Sequence, residues 1–451
     1  MDSKLYRIET YGMKNLTKKT EINFQPLTLA KGKLKKNISK IKAIYGSNGA
    51  GKTAVVQSLY FYKAILCDKD YLLQKDINEK LCNLINKITK EFYISTTFKS
   101  SYVEETELTQ KHELYLSYDE EKEKVYIKKE KLSLLKGQTV NGECLDIFEV
   151  VDGELVFFEN KYHELMHIIY DKTRNMLKSS SLISMMQSEE LINLIKNYID
   201  NYKSYPEQKL GKTIFSMLNT CFFANDLIIY LNNEDLKYNN LKINIDDLFE
   251  KVRENMNYFE NKISSDEDLI LKNNYDKYCV QINQMAKFIK IFKPELENID
   301  IETKEDGHFL HCKKMMNYSN YRVDTAYEST GVRKLMKIYN SIESAVKGKI
   351  VFIDELDANI SSVYLNKLLE YIQKEGEGQL CFTSHNILPM NYLYQLTQSI
   401  DFIGETGKVI TWKKNGNYKP YNLYPEGMIE DSPFNIEYYD FMNVFNSDGD
   451  E

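Results

Sequence analysis

The residues best placed to do chemistry are Gly46-Ser47-Asn48-Gly49-Ala50-Gly51-Lys52-Thr53, which match G-x-x-x-x-G-K-[ST] at every fixed position. Such a loop binds phosphate for physical reasons. Gly46, Gly49 and Gly51 let the backbone close around the anion, with Asn48 beside it. Lys52 is predicted to reach the β- and γ-phosphates, and Thr53 to ligate Mg²⁺. The flanking sequence suits the loop. Ile41, Ala43, Ile44 and Tyr45 predict a buried strand before it, and Ala54 to Leu66 a helix after it.

A second constellation lies about 300 residues later. Ile350-Val351-Phe352-Ile353 predicts a strand covered on both faces, and Asp354-Glu355 must emerge at its carboxyl end, where ligands bind in open α/β sheets. Asp354 is assigned to Mg²⁺, and Glu355 to polarising the water that attacks the γ-phosphate. The next predicted strand, Gln379 to Thr383, leads into Ser384-His385-Asn386, where His385 can contact the γ-phosphate and hold that water. Glu328-Ser329-Thr330-Gly331 precedes an amphipathic helix carrying Val332, Leu335, Met336, Tyr339 and Ile342. Ser329 reads as its N-cap, and Gly331 permits close backbone approach.

These residues must be positioned by an α/β framework. Short strands are predicted at Leu5–Ile8 and Ile22–Phe24, and a helix near 76–90. Segments 92–98, 113–118 and 124–128 predict an antiparallel meander. From 155 to 292 the spacing turns helical: Leu191, Ile192, Ile195 and Ile199 share a face, as do Leu248, Val252 and Met256. Ser264 to Asp268 reads as a polar break in that helical insertion. Strands are expected again at 299–301 and 308–312, a helix through Leu365, Leu368, Leu369 and Ile372, and a hairpin from 399 to 412. The expected division is 1–154 and 293–425 for two halves of the core, 155–292 for the insertion and 426–451 for a tail whose last residues, Asp448 to Glu451, are expected to be disordered. The run Lys31, Lys33, Lys35, Lys36, Lys40, Lys42 reads as a solvated connector.

Composition narrows the class. The chain has 451 residues, 43% hydrophobic and 28% charged, with a net charge of −7, which argues against a surface devoted wholly to nucleic acid. No run of 18 apolar residues predicts a membrane span. The start, Met1-Asp2-Ser3-Lys4, leads to a strand-like segment rather than a signal peptide. Seven scattered cysteines without a C-x-x-C pair fit reduced thiols in a cytoplasmic protein.

In order and type, the phosphate loop, Glu328-Ser329-Thr330-Gly331, Asp354-Glu355-Leu356-Asp357-Ala358 and Ser384-His385-Asn386 resemble ABC-type ATPases. The resemblance is to the AAA-family branch related to OLD, SMC and RecF proteins, which includes ATPase subunits of anti-phage defence and abortive-infection systems of the PARIS and AbiL types. It covers roughly 1–65 and 292–415. It implies an α/β P-loop ABC-type fold with the β meander and helical insertion, ATP and Mg²⁺ as cofactors, and a homodimer or higher homo-oligomer. Ser329 and Gly331 would contact nucleotide bound to the opposite subunit, Asp357 would lie in the loop crossing the dimer interface, and His385 would be the switch histidine. The stretch after His385 is too short for the nuclease domain of OLD-type proteins. The resemblance therefore implies a separately encoded effector, such as a TOPRIM-type nuclease, with a phage protein as trigger. Two departures stand out: Val332 where many relatives have Thr, and no glutamine of the expected Q-loop, since Gln187 and Gln284 fall in the helical region.

Two alternatives compete: a DNA-clamping ATPase of the SMC or RecF kind, and a zinc metalloprotease. The latter rests on His163-Glu164-Leu165-Met166-His167, an H-E-x-x-H match with Glu164 as base and Glu189 or Glu190 as third ligand. His308 and His311, at spacing three on a predicted strand, face opposite sides and make a poor pair.

Overall fold

The computed structural model describes residues 3–25, 38–100, 108–135, 143–161, 163–201, 208–231, 267–396, 398–414 and 418–430. The elements run β1 (Lys4–Tyr11), β2 (Thr20–Asn23), β3 (Ile41–Tyr45), α1 (Lys52–Cys67), α2 (Lys75–Leu84), β4 (Glu91–Ser100), β5 (Leu108–Asp119), β6 (Lys124–Leu135), β7 (Cys144–Val151) and β8 (Glu154–Phe158). There follow α3 (Glu164–Thr173), α4 (Leu182–Met185), α5 (Glu189–Asn201), α6 (Gln208–Asp226), β9 (Leu227–Tyr230), β10 (Glu267–Leu271) and α7 (Tyr275–Phe292). The last third holds β11 (Leu296–Asp306), β12 (Phe309–Tyr318), β13 (Tyr321–Asp324), α8 (Thr330–Val346), β14 (Ile350–Ile353), α9 (Ser362–Glu375), β15 (Gln379–Thr383), α10 (Met390–Leu393), β16 (Ile400–Ile403), β17 (Val409–Thr411) and α11 (Pro420–Leu423).

The protein has an α/β fold built on three sheets among the described residues. The central one runs β17-β16-β3-β15-β14-β9, parallel except for β17. Every residue of β3, β9, β14, β15 and β16 is buried, as in strands covered on both faces; Lys42, Gln379, Thr383 and Asp401 are buried there among apolar residues. A seven-stranded antiparallel sheet, β2-β1-β4-β5-β6-β7-β8, contains the expected meander as β4 to β6, extended by the two N-terminal strands on one side and by β7 and β8 on the other. Gln379 fastens the two sheets, accepting from the Leu5 N–H at 2.7 Å and donating to the Leu5 carbonyl at 3.0 Å. Helix α1 packs among α4, α6, β4 and β9. It is buried on every face from Ala54 to Leu66, Gln57, Ser58 and Lys63 included, rather than on one stripe. The third sheet, β10-β12-β11 with β13 on β12, packs with α7 on the far side of the central sheet.

Several expectations change. The predicted helix near 76–90 stops at Leu84, because Ile85 turns extended and bridges to Met13. Among the described residues the 155–292 stretch holds helices α3, α4, α5, α6 and α7, but it opens inside β8 and also contains β9, a strand of the central sheet paired in parallel with β14. Its four apolar residues directly follow a 19-residue helix, and a run that short has no distinguishing period. Glu267 and Asp268 lie in β10 instead of a polar break; Asp268 is buried, held by Lys314 at 2.6 Å and Tyr278 at 2.7 Å. Lys42 is no part of a solvated connector: it is fully buried in β3, its Nζ 2.8 Å from the Asp401 carboxylate of β16. His308 sits in the turn before β12, not on the strand. Leu248, Val252, Met256, residues 264–266, the lysines from 31 to 36 and the tail from 431 lie outside the described residues.

Candidate active site

Parallel pairing brings four strand ends to one edge of the central sheet. Ser384 donates its N–H to the Ile44 carbonyl at 3.2 Å, and Asp354 donates its own to Tyr230 at 2.9 Å. The loop 46–51 thus leaves β3 beside the acids that leave β14 and the Ser384–His385 turn that leaves β15. Gly51, at φ +104°, turns the chain into α1 where a side chain would be strained. The Asn15 side chain donates to the Gly49 carbonyl and ties the exposed tip of the loop, Asn48 and Gly49, to the β1–β2 turn.

Lys52 is buried and folds back on its own loop, donating to the carbonyls of Gly46 at 2.8 Å and Ser47 at 3.0 Å. Burial pushes its ammonium below the usual lysine value, against the pull of Asp354, Glu355 and Asp357. Thr53 Oγ1 donates to Asp354 Oδ1 at 3.2 Å, joining residues 301 positions apart. Thr383, which sequence reasoning passed over, completes the arrangement. Its hydroxyl donates to the same Asp354 oxygen at 2.7 Å and accepts the Glu355 N–H at 2.8 Å. Burial raises the Asp354 carboxyl above the usual range, with the two threonine hydrogen bonds opposing it. Glu355 holds a left-handed φ of +50°, a conformation uncommon for a glutamate and a form of strain found at functional sites.

Asp357 acts within its own chain. Its Oδ2 accepts the N–H groups of Asn386 at 3.0 Å and His385 at 3.3 Å, so it holds the turn that carries the exposed His385 ring. Ser329 caps α8 as expected, accepting from Val332 N at 3.4 Å. Among the described residues no hydrogen bond joins it to the phosphate loop, and it is exposed. Gly331 does permit a close approach, but to the Asn359 carbonyl of the same chain, which a Cβ would meet at 2.8 Å. Glu328 anchors this turn to the third sheet. It accepts from Tyr318 at 2.5 Å, Ser329 N at 3.0 Å and Lys293 at 3.2 Å. Burial works to raise the Glu328 carboxyl, yet those three donors bring it below the usual range.

A further missed residue is Lys334. It sits on α8 with its Nζ 4.4 Å from the centroid of the Tyr230 ring, in the field of the acids. Burial lowers it to about 8, with Glu355, Asp354 and Asp357 pulling it up. A folded-state value below the unfolded 10.5 means the cost of the charge is complete below pH 8 and fades as pH rises to 10.5. Lys334→Met is therefore expected to stabilise the protein at pH 7 by about 1–3 kcal/mol. Thermal melts should show the gain shrinking between pH 8 and 10.5; a gain that grows with pH would contradict the assignment.

The H-E-x-x-H match does not assemble a metal site. His163 lies outside α3 as its N-cap, Nδ1 accepting from Leu165 N at 3.3 Å and Nε2 3.4 Å from the Tyr198 hydroxyl. His167 is exposed and pairs with Asp171 at 3.0 Å, while Glu190 binds Lys172. No cluster of three metal-ligating residues occurs among the described residues. Gln187 donates to the Leu66 carbonyl at 2.5 Å, behind α1. The strand end that does reach Asp354 is that of β9. No described helix is long and apolar enough to cross a membrane.

No family model matches the chain, and no curated protein does. Among solved structures it is similar to the SMC head domain with an extended coiled coil bound to the C-terminal domain of ScpA, derived from Pyrococcus furiosus (12% identity, 91% of this chain, 96% of that one, TM-score 0.41). It is similar also to the SMC head domain from Thermotoga maritima (11%, 91%, 100%, TM-score 0.32). A third likeness is to the recombination mediator protein RecF with ATP (13%, 91%, 99%, TM-score 0.36). All three TM-scores lie under one half, so nothing about this chain's chemistry follows from them.

Proposed function

We propose that the protein is an ABC-type ATPase that binds and hydrolyses ATP at the edge of the central sheet. The observation that carries this is the Thr53–Asp354–Thr383 hydrogen-bonded set beside the Lys52 loop, with Glu355 next in the chain. The site's donor set fits Mg²⁺: Thr53 and Asp354 offer hard oxygens 3.2 Å apart, and the ion would neutralise phosphate charge. Lys52 then leaves the loop carbonyls for phosphate oxygens. Glu355 takes the proton of the attacking water, and His385, steadied by Asp357, faces the terminal phosphate.

The exposed Ser329 turn suits a second copy of the chain, so each site is completed across a homodimer by the partner's signature turn. The finer placement is a cytoplasmic sensor ATPase of an anti-phage system, releasing a separately encoded effector on a phage trigger. It is supported by the resemblance of the motifs. The 155–292 stretch is its sensing part, less β9, which belongs to the core. Lys52→Ala tests the foundation. It is expected to weaken ATP binding at least about tenfold, because it removes a charge-assisted contact. Calorimetric titration showing wild-type affinity would sink the assignment.

A further inference from the structure

The turn that carries Ser329 is pinned from behind and bare in front. Asp324 pins its start, accepting the Ala326 N–H at 2.9 Å and pairing with Lys313 of β12 at 2.9 Å. Glu328, only 8% exposed, pins its end through Tyr318 of β12, the Ser329 N–H and Lys293. Lys293 directly follows α7, 35 positions before Glu328, and its Nζ also lies 4.4 Å from the Tyr318 ring centroid. All these contacts are on the inner side. Tyr327 stays 83% exposed, and Ser329 is exposed beside it. A bare turn held this firmly is preorganised for a contact it has yet to make.

Charge identifies what Lys293 is for. Ser329 opens α8, where the helix dipole and free N–H groups favour an anion. Its hydroxyl accepts from Val332 N–H at 3.4 Å, which leaves the hydroxyl proton to donate outward. A carboxylate one residue away would repel that anion. Glu328 is such a carboxylate: burial works to raise it, but Tyr318, Ser329 and Lys293 hold it below the usual range, so it is ionised at neutral pH. Of the three donors only Lys293, at 3.2 Å, brings a compensating charge.

We infer that Lys293 and Glu328 are a positioning couple for the signature turn. Glu328 fixes the Ser329 backbone, and Lys293 cancels the charge that would otherwise oppose the phosphate held by a second copy of the chain. The inference rests on the ATPase reading and its shared site.

The test measures, by sedimentation, the association driven by a non-hydrolysable ATP analogue in the wild type, Lys293→Met, Glu328→Gln and the double variant. Lys293→Met leaves the carboxylate uncompensated and is expected to weaken association about tenfold, while analogue affinity of the dilute monomer changes less than about twofold. Glu328→Gln keeps an acceptor for Tyr318 and Ser329 without the charge. Added to Lys293→Met, it is expected to restore most of the association, with thermal melts checking that each variant is folded. A purely structural clasp gives the opposite order, the double variant associating no better than Lys293→Met. That order, or wild-type association in Lys293→Met, overturns the couple alone. Absence of analogue-driven association in the wild type overturns the shared-site reading and the couple with it.

Discussion

Glu355→Gln binds ATP as the wild type does, hydrolyses it about 10²–10⁴-fold more slowly, and accumulates as ATP-bound dimers: this is the expected result of removing a general base while keeping its shape. The geometry explains why the loss should be confined to chemistry. The Glu355 N–H is anchored to Thr383 Oγ1 at 2.8 Å and the backbone holds φ +50°, features a glutamine retains. Asp354 keeps both threonine hydrogen bonds, so the oxygens suited to the cation stay in place. Single-turnover hydrolysis and sedimentation with ATP measure the two halves of the prediction. Wild-type turnover would remove Glu355 from its role, and slow turnover without dimers would remove the shared-site arrangement.

The largest expected effect on stability lies one strand away. Lys42 and Asp401 are both 0% exposed, joined at 2.8 Å between β3 and β16, with the Lys42 Nζ also 5.7 Å from the Phe24 ring centroid. Lys42→Met leaves a buried carboxylate without its cation and is expected to cost about 3–5 kcal/mol. The double variant Lys42→Met, Asp401→Leu removes both charges and should recover most of that loss, since apolar replacement of a buried pair is often neutral or stabilising. Urea midpoints of the four proteins give the coupling directly. Additive losses would show that the pair does not act as a unit. The pair also bears on the site, because β3 ends at Tyr45, next to the loop, and the Tyr45 ring lies 6.1 Å from that of Phe402 on β16.

The chemistry-bearing motifs were legible because each depends on local order. A glycine loop between a buried strand and a helix, or two acids ending an apolar run, is a statement about consecutive residues and short-range backbone geometry. The amphipathic helix at Ser329 and the hairpin at 399–412 were legible for the same reason. Where sequence reading failed, the deciding contact was distant. Lys42 looked like one more lysine of a polar run until Asp401 was placed against it. Leu227–Tyr230 was indistinguishable from the end of a helix until β14 paired with it.

Length, composition and motif order by themselves determined an α/β protein with a glycine-rich loop after a buried strand, paired acids at a strand end and a histidine after the next strand. Tertiary structure alone decided which groups finish the site: Thr383 on Asp354, Asp357 under His385, Lys334 over Tyr230, and Tyr45 with Tyr424 below the loop. The physical reason is that a parallel sheet aligns the carboxyl ends of strands far apart in sequence. Hydrogen-bond partners and buried charges at that edge are chosen by register and burial, and neither quantity is written in any local stretch of residues.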